Sequence, residues 1–274
     1  MQRIVVATHG ESGSPHALDF ACYLGRLTNS KISGFLLEEQ SSNKNPDLNR
    51  KPGSAPVEER DVATSTSIQS DVQTNEQHIA LFKNACENRG VSYTIRGVKN
   101  DATNVLIRES RYADVIVAEF EGCHSKAEHF IKELLEGAEC PVIIAPESFE
   151  GIDEVVFTYN GSRSSIHAIK QFCYLFPQLD DKKVTVIEVD EEGIGSPEEK
   201  DKFRDWISSH YTSIEYRVLK GDVESALFAA LLRRKNVFIV MGAYGRGRVS
   251  RFFKHSRADL LVKALTQAIF IAHT

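Results

Sequence analysis

Two glycines, Gly242 and Gly245, lie between an apolar run, Val237–Met241, and a stretch with helical spacing, Ala258–Leu265. A turn from a parallel strand into a helix points backbone N–H groups outward at the positive end of the helix, which favours phosphate. Glycines at such a turn let the backbone approach an anion with no Cβ in the way. Arg246, Arg248 and Arg251 follow and could pair with phosphate oxygens. The same spacing also describes an ordinary strand-to-helix turn with solvated arginines. A second turn, Tyr159-Asn160-Gly161-Ser162, follows another apolar run, and Asn-Gly is a turn dipeptide in its own right. Neither turn brings a catalytic set with it. The chain has no Gly-x-x-x-x-Gly-Lys-[Ser/Thr] phosphate loop and no motif-placed pair of carboxylates near these turns, so no enzyme activity is expected.

The elements that must position these turns are short and apolar. In the first half the strand runs are Ile4–Thr8, Lys31–Leu37, Tyr93–Val98, Asp114–Ala118 and Pro141–Ala145. The second half repeats the order with Val155–Thr158, Val184–Val189, Ile214–Leu219, Val237–Met241 and Ala268–Ala272. Segments of 3.6-residue periodicity separate them, among them 71–88, Glu198–His210 and 221–232. Alternating strands and helices imply parallel sheets with right-handed crossovers, and non-alternating apolar strands imply helices on both faces. The expectation is an α/β chain of two repeated open five-stranded parallel sheets, in domains spanning 1–147 and 151–274. Between the second strand and the next helix, composition turns to Ser, Asn, Lys, Glu and Pro, which reads as a mobile insertion at about 41–69.

Composition narrows the function classes. The 274 residues suit two domains, 42% hydrophobic content supports real cores, and a net charge of −5 argues against broad nucleic-acid binding. There is no apolar run long enough to span a membrane, and the opening Met1-Gln-Arg-Ile-Val-Val-Ala lacks the pattern of a signal peptide. Cys22, Cys86, Cys123, Cys140 and Cys173 are scattered, odd in number and without Cys-x-x-Cys, so they read as reduced thiols of a cytoplasmic protein. Cys123, His124 and His129 form the best metal candidate, but neighbours on one element point apart, and solvated loop residues are the simpler reading.

Gly242-Ala-Tyr-Gly-Arg, the following Phe252-Phe253 pair and the internal repeat together resemble the universal stress protein family in its tandem, two-domain form. The nucleotide loop of that family reads Gly, two residues, Gly, nine residues, then Gly and Ser or Thr. Gly242, Gly245 and Ser256 match, and His255 replaces the third glycine. The resemblance covers nearly the whole chain apart from the insertion. It implies a Rossmann-like sheet of order 3-2-1-4-5, with the ligand between the first and fourth strands of the second half. It also implies a stress-response protein that binds ATP or another adenine nucleotide as a regulatory state. The cofactor contacts it assigns are Tyr159, Asn160, Gly161, Val189, Met241, Gly242, Gly245, Arg246, His255 and Ser256. An Asp usually stands where this chain has Asn160, so magnesium is not expected to bind well. Val189 would flank adenine or serve as plain core, and Ser256 would bond phosphate or cap the following helix. In the first half His9 takes the Asp position, as a base or a turn residue. Counted from the strand end, Phe120 and Cys123 replace the two glycines, and Glu119 and Glu121 repel phosphate, so this half is read as having lost its site. The halves are expected to associate through their last strands as an intramolecular pseudo-dimer, with homodimer formation left open. Two other readings stand beside nucleotide sensing: a nucleotide-independent interaction scaffold, and a slow ATP-hydrolysing enzyme.

Overall fold

The computed structural model describes residues 1–9, 15–37, 76–98, 101–119, 125–189, 196–219, 223–232, 234–242 and 267–272. The insertion at 41–69 and the helix expected at 258–265 lie outside the described residues. In the first half the strands are β1 (Arg3–His9), β2 (Lys31–Leu37), β3 (Tyr93–Val98), β4 (Val115–Ala118) and β5 (Val142–Ile144). Its helices are α1 (Pro15–Thr28), α2 (76–88), α3 (Ala102–Ser110) and α4 (Ser125–Gly137). The second half has β6 (Glu154–Tyr159), β7 (Lys183–Val189), β8 (Ile214–Leu219), β9 (Val237–Gly242) and β10 (Ala268–Ala272). Its described helices are α5 (Arg163–Leu175), α6 (Pro197–Ser208) and α7 (Val223–Leu231).

The strands form one ten-stranded sheet in the order β3-β2-β1-β4-β5-β10-β9-β6-β7-β8. The two repeated five-stranded parallel units expected from sequence are both present, and they lie in one continuous sheet. Each half is a parallel five-stranded unit of order 3-2-1-4-5, and the two join through an antiparallel pairing of β5 with β10. Each unit on its own would expose an apolar last strand; the pairing satisfies both edges at once.

The register of the two halves agrees residue for residue. Arg3 pairs with Lys31 in β2, and Glu154 pairs with Lys183 in β7. Ile32 faces Tyr93, and Val184 faces Ile214. Arg3 and Glu154 are therefore equivalent, as are Ser33 and Thr185. At the junction Ile143 faces Phe270. These two are themselves equivalent, because Ile116 pairs with Val142 in one half and Ile239 with Ile269 in the other. The join is thus isologous, with a pseudo-two-fold axis at the Ile143–Phe270 pair.

Both faces of the sheet are covered. Ile4, Val6, Val155 and Phe157 pack in one layer with α1, α2, α5 and α6. Val5, Ala7, Val156 and Ile239 pack in the other with α3, α4 and α7. Each layer runs across the junction. Phe20 of α1 meets Phe238 of β9 edge-on at 5.6 Å and Phe149, from the segment joining the halves, at 5.0 Å. Helix starts follow local chemistry. Ser196 and Glu199 form a reciprocal capping box with Pro197 in the first turn of α6, and Ser162 caps α5. Because α1 and α4 lie on opposite faces, the connections after β1 and β4 diverge and leave a crevice at the carboxyl ends of these strands, the place where open α/β sheets bind ligands.

Candidate functional site

In the second half the equivalent position lies at the carboxyl ends of the paired strands β6 and β9. Thr158 ties the two strands together by donating its buried hydroxyl to the Val240 carbonyl at 3.1 Å. The chain then leaves β6 at Tyr159 and turns at Asn160. Asn160 is only 3% exposed, and its Oδ1 accepts from Ser162 N–H at 3.1 Å. Its Nδ2 has no partner among the described residues. A buried donor left unpaired costs about 1–3 kcal/mol, so this amide is a place where a ligand acceptor fits. Gly161 has φ 77°, the left-handed region that a turn here requires and that a side chain resists.

Ser162 closes the turn as the N-cap of α5, accepting from Ser165 N–H at 3.3 Å, while Ser165 Oγ donates back to the Ser162 carbonyl at 2.9 Å. Gly242, at the end of β9, lies directly against this first turn. A Cβ at Gly242 would stand 2.5 Å from the Ser164 carbonyl carbon and 2.6 Å from Ser165 N. Among the described residues, the close approach that Gly242 permits is therefore that of helix backbone against strand end.

Tyr159 is turned inward. Its ring stacks on Phe203 of α6 at 4.0 Å with planes 9° apart, and it is 2% exposed. Its hydroxyl has no partner among the described residues, and burial, assisted by the nearby Glu188 charge, raises its pKa. Met241 is half-buried near the end of β9. Val189 ends β7, in register with Leu219. Gly245, Arg246, His255 and Ser256 lie outside the described residues, so Tyr159, Asn160, Gly161, Met241 and Gly242 are the assigned residues that the structure brings together.

Glu188 was not singled out from sequence. It is 4% exposed at the carboxyl end of β7, and α6 covers it with Lys200 Nζ at 2.6 Å and Arg204 at 3.3 Å. The signal available in the sequence was the Lys200/Arg204 pair, one turn apart on a helix that returns over an otherwise apolar strand.

The first-half crevice is built differently. Register extends β4 so that Glu119 occupies the place of Gly242, not Phe120 as counted from the strand end. Glu119 is 8% exposed, so a buried carboxylate stands where the second half has no side chain. His9 ends β1 opposite Leu37. Phe120, Glu121, Cys123 and His124 lie outside the described residues, and His129 Nε2 is within 3.1 Å of the Glu133 carboxylate. Among the described residues no group of three or more His, Cys, Asp or Glu could hold a metal ion, and no helix is long and apolar enough to cross a membrane.

No family model matches the chain, and no curated protein matches it in sequence. Solved structures do. A universal stress protein from Archaeoglobus fulgidus DSM 4304 aligns over 99% of this chain and 96% of its own, with a TM-score of 0.69 at 14% identity. A functionally unknown protein from Pseudomonas aeruginosa PAO1 aligns over 100% of this chain and 92% of its own, with a TM-score of 0.56 at 12% identity. A universal stress protein family protein from Arabidopsis thaliana, solved with AMP bound, covers 52% of this chain and 89% of its own, with a TM-score of 0.35 at 17% identity.

Proposed function

We propose, for a chain with the tandem universal stress protein fold, that the second half binds one adenine nucleotide as a regulatory state in a cytoplasmic stress response, without catalysing a reaction. The observation that carries this reading is the Asn160 carboxamide: 3% exposed, with its Nδ2 unpaired among the described residues, beside the carboxyl ends of β6 and β9. A buried donor at a topological switch point suits a polar ligand group. Gly245, Arg246 and Ser256 would meet the phosphates if the loop follows the family pattern. The buried Glu119 carboxylate would oppose phosphate in the first half, which favours one nucleotide per chain.

A second reading rests on the cap. Ser162 N–H is held by Asn160 Oδ1 and Ser165 N–H by Ser162 Oγ, so those two donors at the start of α5 are already engaged. This favours a scaffold that works through its surfaces and needs no nucleotide.

Calorimetric titration with ATP, ADP and AMP, with and without magnesium, separates the two. Nucleotide sensing requires one site per chain, lost in Gly245→Val and, with magnesium present for the new carboxylate to hold, tightened by the pair Asn160→Asp and His255→Gly. Restoring one charge-assisted contact corresponds to about ten- to a hundredfold in affinity. No binding by the native chain, with recovery in the double variant, selects the scaffold. Two equivalent sites per chain, or binding indifferent to Gly245→Val, overturns the single-site reading.

A further inference from the structure

Cys22 on α1 and Cys86 on α2 are both fully buried, and their sulfurs share a hydrogen bond at 3.8 Å. The second half supplies an internal comparison. By strand register and burial, Cys173 takes the place of Cys22, and Phe203 and Ile207 take the places of Phe82 and Cys86. The second half thus keeps one thiol and sets carbon opposite it. A facing pair of thiols occurs in the first half alone among the described residues.

We propose that Cys22 and Cys86 are a peroxide-oxidisable dithiol, closing to a disulfide that fastens α2 to α1. The sulfurs must approach from 3.8 Å to about 2.05 Å. Helix α2 can supply that movement. Phe82 and Cys86 are its only buried residues, and its outer end is held by a part-exposed ion pair from Arg89 to Asp19 at 2.7 Å. Such a thinly buried helix opens locally at modest cost, and opening admits a small oxidant to thiols that are otherwise sealed.

The contact also divides the roles. The hydrogen bond from Cys86 lowers the pKa of Cys22, with Arg89 helping against burial, while the same contact raises that of Cys86. The Cys22 thiolate therefore attacks one oxygen of hydrogen peroxide. The O–O bond breaks, the departing hydroxide takes a proton and leaves as water, and Cys22 becomes a sulfenic acid. The Cys86 sulfur then attacks the Cys22 sulfur. The S–O bond breaks, and the thiol proton of Cys86 leaves with that oxygen as a second water. One peroxide and two thiols give one disulfide and two waters. Among the described residues Cys140 and Cys173 face no second thiol, and burial pushes each up to about 12, which keeps them as unreactive thiols.

The test uses the full chain, reduced and then exposed to hydrogen peroxide at a few equivalents. Peptide mapping without reductant should yield one crosslink joining the Cys22 and Cys86 peptides, lighter by two hydrogens than the separate thiols. The oxidised chain should melt at a higher temperature than the reduced one, because a loop closed over 64 residues restricts the unfolded state. Cys22→Ser and Cys86→Ala should each abolish the crosslink, and Cys173→Ser should leave it intact. Phe82→Ala, which loosens α2, should speed thiol loss severalfold. Because the mapping is done on the native chain, a variant that fails to fold leaves the result standing. A folded chain in which peroxide leaves Cys22 and Cys86 as thiols, or oxidises other cysteines first, overturns the proposal.

Discussion

The two halves solve the same packing problems with different residues. At the amino end of the first strand, Arg3 donates Nε–H to Ser33 at 3.1 Å and reaches Glu109 of α3 at 2.5 Å. At the equivalent place Glu154 accepts from Thr185 and meets Arg234, just beyond α7, at 2.6 Å. The charges are exchanged, and the hydroxyl beside them changes from acceptor to donor, a role either side chain can fill. A second contrast lies under the helices. Phe82 fills a slot above Gly34, whereas Phe203 has Val186 at the glycine's place and stacks instead on Tyr159. What the repeat preserves is an ion pair joining strand to helix and an aromatic ring under the second helix. The identity of the partners is free to drift, provided that the ion pair and the ring slot are each filled.

The ring slot gives the largest effect by which to test this. A Cβ at Gly34 would stand 2.4 Å from the Phe82 ring, inside any real contact distance. Gly34→Val should therefore expel the ring and release α2, costing about 3 kcal/mol in denaturant titration and exposing 76–88 to proteolysis. Phe82→Ala should cost about the same. Since both variants destroy one contact, the double variant should cost little more than either alone. Full additivity would mean that Gly34 has some other role.

The exchanged ion pairs come next. The side chains of Glu154 and Arg234 are 15% and 12% exposed, against 28% and 21% for Arg3 and Glu109. Arg234→Ala leaves a carboxylate largely out of water and should cost about 3 kcal/mol; Arg3→Ala should cost about 1 kcal/mol. Reversal in place, Glu154→Arg with Arg234→Glu, should recover at least half the loss, because Thr185 can accept as Ser33 does. Equal costs for the two alanine variants, or no recovery on reversal, would show that the halves are not interchangeable here.

Most of the fold was legible because continuous apolar strands and a doubled element order leave few topologies. Lys31–Leu37, Tyr93–Val98, Ile214–Leu219 and Ala268–Ala272 appear with the boundaries read from sequence. Association through the last strands followed from the resemblance and their apolar character, but the antiparallel hydrogen-bonded pairing that fuses the halves into one sheet did not, since an apolar last strand reads alike whether a helix or another strand covers it. Gly34 was hidden because a glycine inside a strand carries no sign of the ring that needs it. At the site, the Asn160-Gly161 turn and its place beside the ends of β6 and β9 followed from turn chemistry and strand order. Gly242 was legible as a point of close approach, but the neighbour it admits, the first turn of α5, depends on helix placement that spacing does not encode. The one-residue offset at Glu119 has a similar cause: counting from a strand end errs wherever the end itself is uncertain, and only pairing fixes the register.

The smallest expected effect concerns the outer edges of the sheet. On β8 the Glu215 carboxylate lies 2.6 Å from Arg217 and 3.0 Å from Lys183, and these hydrogen bonds lower its pKa from 4.5 to about 2. By register Thr94 stands at the corresponding place on β3, and Arg96 turns instead to Glu109 at 3.1 Å. A carboxylate whose folded pKa is depressed contributes stability above its unfolded pKa and loses it as pH falls toward the folded one. For Glu215 that window runs from about 4.5 down to about 2. Glu215→Gln should therefore lower the melting temperature slightly at neutral pH, and the difference from the native chain should vanish toward pH 2. Both cations are exposed, so added salt should shrink the difference as well. Thr94→Glu, placing a carboxylate beside Arg96 and Lys31, should give the first half the same acid-sensitive increment. The measurement is a set of melting curves across this pH range at low and high salt. If the native chain and Glu215→Gln differ by the same amount at every pH, the ion cluster does not distinguish the two edges. If Thr94→Glu shows the matching pH dependence, the edges are equivalent sites that differ by one carboxylate.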